Sequence, residues 1–289
     1  MGEKFIFIAD FFVNDILGGG EIHNEELINL LQSQTSSEVK KIHSNKVTIN
    51  FLKKHKDCCF IVANFIGLSA EVKKELQDLR YVIYEHDHKY LARRNPAEYL
   101  NFKAPDSEII NFDFYKNAIA VFCQSGFHKG IIENNLGLPN IKNCSGNLWS
   151  RQILNLISDL RKNPKSEKTS VMLSHIGHKN TTAAIKFCEI KQLEYELIPP
   201  VSYREFLTRL SNNQSFAFFP KTPETLSRVV VEARMMDVIV YTNSHVGATK
   251  EPWFDLKGEK LIEYIRGMRK SIPKKVMGAF KDEDSSYTK

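Results

Sequence analysis

Two glutamates, one lysine and a histidine-rich run are the side chains whose spacing could do chemistry. Glu224 and Glu232 are separated by seven residues in the segment Pro223 to Ala233. A single helix opening near Thr225 would place them about 12 Å apart along its axis and about 80° apart around it. Carboxylates so placed cannot share one proton or one metal ion. They can touch two separated parts of an elongated ligand, such as a sugar and a ribose at opposite ends of a diphosphate. Arg228 lies one turn from Glu224 and pairs with it in the plainest reading of that helix.

Lys179 ends the run Leu173-Ser174-His175-Ile176-Gly177-His178-Lys179-Asn180, just before a helical pattern. A helix start and an ammonium can act together on a diphosphate there, although a loop lysine is also at home in solvent. Leu17-Gly18-Gly19-Gly20-Glu21 opens another helix, and Gly19 and Gly20 would let backbone amides approach a ligand closely. A dinucleotide-binding fold needs a further glycine where His23 stands, so a nicotinamide-dependent enzyme is not indicated, and an ordinary strand-to-helix loop is the other reading. In Tyr84-Glu85-His86-Asp87-His88-Lys89, His86 with Asp87 could orient or polarise a hydroxyl, with Arg93 close by in the chain. Alternate histidines on a strand face opposite ways and no third ligand is evident, so no metal is expected.

These residues need strands and helices to hold them. Apolar runs at Lys4 to Ala9, Cys58 to Ala63, Tyr81 to Tyr84, Ala118 to Cys123, Ser170 to Leu173, Tyr195 to Ile198, Ser215 to Phe219 and Val238 to Tyr241 read as buried parallel strands. Amphipathic stretches at Glu21 to Leu31, Glu71 to Leu79, Thr181 to Ile190, Tyr203 to Leu210 and Thr225 to Met235 supply the crossover helices. The class is therefore α/β. The alternation breaks after Ser150, where one helix, Arg151 to Leu160, precedes the polar stretch Arg161 to Thr169. That sets a domain boundary near Trp149: residues 1–149, then 150–270, then a charged segment 271–289 expected from Lys274 on to be a loosely packed helix or a frayed tail. Two such units suggest a ligand crevice beyond the carboxyl ends of their strands.

With 289 residues, 42% of them hydrophobic, the chain can bury one large core or two modest ones. Five scattered cysteines without Cys-x-x-Cys spacing read as reduced core residues. No apolar run is long enough to cross a bilayer and the first ten residues lack a signal-peptide pattern, so a cytoplasmic location is expected. The formal charge of +6 is uneven: residues 1–150 carry 17 Lys and Arg against 18 Asp and Glu, and residues 151–289 carry 23 against 16, or −1 and +7. A phosphate-bearing ligand would be steered to the second half, where a solvated basic surface is the plainer alternative.

Taken together, Gly19-Gly20-Glu21, Val121-Phe122-Cys123-Gln124-Ser125, Lys179 and the Glu224 to Glu232 pair resemble the retaining glycosyltransferases of the GT-B fold, family 4 type. The likeness runs from Lys4 to Trp253. It implies two Rossmann-like parallel-sheet domains facing each other across a cleft, with the donor, a nucleotide-diphosphate sugar, held by the C-terminal one. Glu224 would lie near the transferred sugar, Glu232 on the ribose, and Lys179 with Asn180 at the diphosphate. The leaving phosphate would take the acceptor's proton, so that catalysis is electrostatic and needs no metal or other cofactor.

Thr225 and Ser227 stand where the family carries glycines, so hydroxyls would replace bare-backbone contacts. Ser174-His175 stand where it carries an arginine, and Arg204 is a candidate substitute. A carbohydrate or other hydroxyl acceptor would meet His86, Asp87 and Arg93. A nucleic-acid acceptor, as in enzymes that glycosylate modified DNA bases, is less favoured because no aromatic-basic interleaving appears. A nucleotide-sugar epimerase or an inactive GT-B binding module would share the architecture.

Overall fold

The computed structural model describes residues 4–35 and 38–284, and its contacts divide the chain into two compact units. The first comprises the residues up to Trp149 together with those from Met268; the second runs from Ser150 to Gly267. In the first, β1 (Phe5–Ala9), β2 (Val39–His43), β3 (Cys59–Val62), β4 (Tyr81–Tyr84), β5 (Val121–Cys123) and β6 (Ile141–Asn143) alternate with α1 (Gly19–Thr35), α2 (Ile49–Lys54), α3 (Ala70–Leu76), α4 (Phe112–Lys116) and α5 (Gly126–Leu136). The second carries α6 (Arg151–Leu160), β7 (Ser166–Met172), α7 (Thr181–Ile190), β8 (Tyr195–Ile198), α8 (Tyr203–Ser211), β9 (Asn213–Phe218), α9 (Arg228–Met235) and β10 (Ile239–Thr242). Helix α10 (Gly258–Asp284) starts in the second unit and ends in the first.

Both sheets are parallel, in the orders β2-β1-β3-β4-β5-β6 and β10-β9-β7-β8. Every residue of β1, β3 and β4 is buried, as expected of strands covered by helices on both faces. Serine caps start the helices that follow: Ser125, Ser150 and Ser202 accept backbone N–H groups of His128, Ile153 and Glu205. The two sheets share one topological feature. The second strand lies on one side of the first and the third strand on the other, so the chain changes direction at the carboxyl ends of β1 and β3 in one unit and of β7 and β9 in the other. Open parallel sheets present their ligand-binding loops at such points.

The structure corrects the expectation for the end of the chain. Met268, Ile272, Val276 and Phe280 recur every fourth residue on α10 and are buried in the first unit's core with Phe5, Phe7 and Phe122. Burying Phe280 alone stabilises by about 1.5–3 kcal/mol. Arg80 donates to the Phe280 carbonyl at 2.6 Å, and Arg269 pairs with Glu26. Lys274 and Lys281 point away from this stripe, whereas Lys275 flanks it and donates to the Asn143 and Cys144 carbonyls at 3.1 and 3.3 Å. The last expected residues, 285–289, lie outside the described residues. The polar stretch before β7 is also shorter than expected, because the strand begins at Ser166 as the centre of the smaller sheet. All five cysteines are buried and free. Among the described residues no helix is long and apolar enough to cross a membrane.

Candidate active site

In the second unit the loops after β7 and β9 are tied together by three contacts. Asn180, in the left-handed conformation at the start of α7 (φ 58°), donates its side-chain amide to the Phe219 carbonyl at 2.9 Å. The Lys221 N–H donates to the His178 carbonyl at 2.8 Å. The Lys179 ammonium lies 2.7 Å from Glu224 Oε1, with side-chain exposures of 25% and 14%. Lys179 and Glu224, 45 residues apart in sequence, therefore meet at the strand ends where the sheet's order reverses. Thr181 closes the base of the loop, donating to the Met172 carbonyl and accepting from the Ser174 N–H. His178 stands beside the pair, and burial together with the Lys179 charge lowers its pKa.

Glu224 does not open a helix. α9 starts at Arg228, and Glu224 forms an isolated parallel bridge with Val246 before the chain bends at 225–226: the Glu224 N–H donates to the His245 carbonyl at 2.7 Å, and its own carbonyl accepts from Gly247 at 2.9 Å. Thr225 lies in the same stretch. The cause is local: Ser227 takes φ 72°, which interrupts any helix between Glu224 and Arg228. The apolar periodicity of Val229 to Met235 belongs to α9 alone and does not extend back to Glu224. The helical arithmetic for the two glutamates therefore does not hold.

Glu232 is buried completely. It accepts from the Tyr203 hydroxyl at 2.5 Å, and the Arg228 Nε lies 3.7 Å away. Burial, and then the Glu232 charge, push the Tyr203 hydroxyl well above its ordinary pKa. A ribose contact at Oε1 of this carboxylate would compete with the Tyr203 hydroxyl. Arg228 pairs with Glu232 one turn along α9. Arg204 is exposed; Tyr203, one residue earlier and about 100° around α8, is the side chain that reaches Glu232.

In the first unit Asp10, directly after β1, accepts the N–H groups of Ile66 and Gly67 after β3, at 3.1 and 3.0 Å. α1 opens at Gly19, and a Cβ on Gly20 would lie 3.4 Å from the His86 ring. His86 follows β4 in a chain of buried polar groups. Asn147 donates to Gln124 Oε1 at 2.9 Å, the Gln124 amide donates to His86 Nδ1 at 2.8 Å, and His86 Nε2 meets Asn24 Oδ1 at 2.7 Å. That sequence of donors assigns the ring proton to Nε2. Burial lowers the His86 pKa well below its ordinary value, with neighbouring His23 adding to the effect, so the ring is neutral at pH 7. Held this way, both ring nitrogens of His86 are engaged inside the unit, and the ring can meet an acceptor hydroxyl only by exchanging one of these amide partners.

Asp87 pairs with Lys89 at 2.7 Å and with Arg94 at 3.5 Å. Burial opposes its ionisation, but the Lys89 charge together with the hydrogen bonds from Glu85 and Lys89 outweighs burial and holds the carboxyl below its ordinary pKa. Arg93 belongs to neither group, because its side chain is 70% exposed and pairs with Glu98. The chain turns through left-handed Arg94 (φ 54°), and it is Arg94 that faces Asp87. Sequence reasoning missed Asn24, Glu85, Lys89, Tyr115, Gln124 and Asn147 as members of this cluster. The Gln124-Ser125 pair after an apolar strand was the one available signal. Among the described residues no three His, Cys, Asp or Glu side chains are grouped to hold a metal ion.

The same fold is found in solved structures over nearly the whole chain. Anabaena HepE in complex with UDP and glucose superimposes with a TM-score of 0.55 at 13% identity, covering 99% of each chain. The same protein in complex with UDP-glucose gives 0.53 at 12% identity and the same coverage. An alpha-glucosyltransferase in complex with UDP-glucose and DNA containing an abasic site gives 0.50 at 12% identity, covering 98% of this chain and 93% of that one. No protein-family model matches the chain, and no curated protein matches its sequence. At these identities the likeness shows the fold, and that fold is GT-B: two parallel-sheet α/β units, of six and four strands.

Proposed function

We propose that this chain is a glycosyltransferase that moves a sugar from a nucleotide-diphosphate sugar to an acceptor hydroxyl, with retention of configuration. The observation that carries the proposal is the Lys179–Glu224 pair at the strand ends where the second sheet reverses its order. The net charge of +7 over residues 151–289 favours an anionic donor in that half. The UDP and UDP-glucose bound to the similar folds make a uridine diphosphate sugar the first donor to try.

In this reading the donor's diphosphate competes with Glu224 for Lys179. The freed carboxylate then turns to the sugar's hydroxyls. The acceptor oxygen forms a bond to the anomeric carbon as the bond from that carbon to the diphosphate oxygen breaks, and the acceptor's proton passes to the departing phosphate. Lys179 stabilises the charge that grows there, while ionised Asp87 accepts from the acceptor hydroxyl and His86 joins it only by exchanging one of its amide partners. No residue need act as a nucleophile and no metal is required.

Release of free nucleoside diphosphate from a panel of nucleotide sugars, with glycan, lipid and hydroxymethylated-DNA acceptors, tests this reading. Acceptor-dependent release that a chelator leaves unchanged is expected, with the product anomer matching the donor's. Release that a chelator abolishes would show that a metal takes part. Interconversion of the sugar without any acceptor would identify an epimerase.

A further inference from the structure

One buried group takes no part in the reaction just described. Glu85 follows β4, and its side chain is fully enclosed. Oε1 accepts the N–H of His86 at 3.1 Å, the N–H of Asp87 at 3.0 Å and the Lys89 ammonium at 2.5 Å. Oε2 accepts the hydroxyl of Tyr115, which is buried on α4. The ammonium that meets Glu85 also donates to Asp87 Oδ1. One carboxylate thus fixes the backbone of both residues on which the acceptor reading depends, and it shares a cation with one of their side chains.

The three N–H groups on Oε1 can only donate, and an ionised carboxylate binds them more strongly than a protonated one, whose proton the Tyr115 hydroxyl or the Asp87 carboxylate can accept. We propose that Glu85 is a positioning residue whose ionised carboxylate presents His86 and Asp87 to the acceptor and whose protonation loosens its hold on them. The proposal rests on the acceptor reading above.

Electrostatics place this change in a useful range. Burial pushes the Glu85 carboxyl up to about 7; the Lys89 charge opposes the shift and Asp87 adds to it. Lys89 stays charged, because Asp87 and Glu85 outweigh the effect of its burial. Around the cluster, Tyr90, Tyr115 on α4 and Cys123 on β5 are held neutral by burial, burial lowers the pKa values of His88 and His128, Arg94 faces Asp87, and Glu21 on α1 is a second carboxyl whose pKa burial raises and the Lys89 charge opposes. The sign separates a local role from a structural one. A carboxyl raised from 4.5 to about 7 on folding contributes stability that is full below 4.5 and lost as pH rises through about 7. Order in the 86–87 segment should run the other way and increase with pH.

Backbone amide shifts of His86 and Asp87, followed by NMR between about pH 5 and pH 9, test the proposal without any turnover. Both amides should titrate with one midpoint near 7, and Glu85→Gln should abolish that transition. Tyr115→Phe removes a donor that favours the ionised form, so it should raise the midpoint; it decides alone if Glu85→Gln does not fold. Amides that stay still, a transition that survives Glu85→Gln, or a midpoint unmoved in Tyr115→Phe overturns the proposal. In transfer assays the acceptor kcat/KM should rise with the same midpoint. Glu85→Gln should flatten that limb and lower acceptor kcat/KM about tenfold or more, with donor KM within about twofold. Absence of wild-type turnover on every nucleotide sugar would sink the transferase reading, and the amide titration would still decide the role of Glu85.

Discussion

Replacing Glu224 by Gln is expected to lower kcat by about 10²–10³-fold, the usual cost of removing one preorganised electrostatic contact from a transition state. The substitution keeps the side chain's size. The backbone bonds of Glu224 to His245 and Gly247 do not involve the carboxylate, so the fold should be kept. Only the charge is lost, and with it the ground-state partner of Lys179. The freed ammonium should hold a diphosphate equally well or a few-fold more tightly, so donor KM should stay level or fall as kcat collapses. Steady-state kinetics with a nucleotide sugar separates the two parameters. Unchanged kcat would remove Glu224 from the chemistry.

Lys179→Ala should act on the other quantity. A charge-assisted hydrogen bond is worth about 1.5–3 kcal/mol, so losing it should weaken nucleoside diphosphate binding by on the order of 10–100-fold. The true figure should sit at the upper end, because the substitution also leaves the Glu224 carboxylate beside the phosphates without its 2.7 Å cation. Binding of the nucleoside without phosphates should change by less than about twofold, since Lys179 would touch only the diphosphate. Calorimetric titration of both ligands checks the difference, and equal weakening of both would rule out a phosphate role. The double variant Lys179→Ala, Glu224→Gln should recover part of the lost diphosphate affinity, because the repulsive carboxylate is gone.

The parts of the molecule legible in the sequence were those governed by local rules. Phe5–Ala9, Cys59–Val62 and Tyr81–Tyr84 are apolar throughout because helices cover both faces of the sheet, and that pattern reads directly as a parallel strand. β6 has three residues and lies at a sheet edge, so it has too little buried sequence to register. The start of α9 was misplaced because periodicity carries no record of backbone conformation at Ser227, where a left-handed turn lets residues 224–226 pair with residues 246–248. The burial of α10 is hidden for a related reason: its stripe of four apolar residues is spread among charged residues, and two of these, Arg269 and Lys275, are themselves bonded to the first unit.

Lys179 and Glu224 were each legible from their place after an apolar strand. Their contact was not, because it depends on β7 and β9 being neighbours with β8 displaced to the edge. Glu85 shows the limit most plainly. In sequence it is one glutamate among polar residues, and only the fold brings Tyr115 from 30 positions away to its second oxygen. Arg204 and Arg93 carry the right charge near the right place, and what the sequence does not show is that helix phase and turn geometry turn both side chains to solvent.

A thermal-shift titration of the full chain and of Lys179→Ala against a panel of nucleotide sugars tests the donor assignment most directly. A ligand present at about a thousand times its Kd adds about 4 kcal/mol to folding stability, which a melting midpoint resolves readily. At least one uridine diphosphate sugar should raise the wild-type midpoint in a saturable way, and the same concentration should raise the variant's far less. No shift for any nucleotide sugar, or equal shifts in both proteins, would contradict the claim that Lys179 and Glu224 mark the donor's binding place.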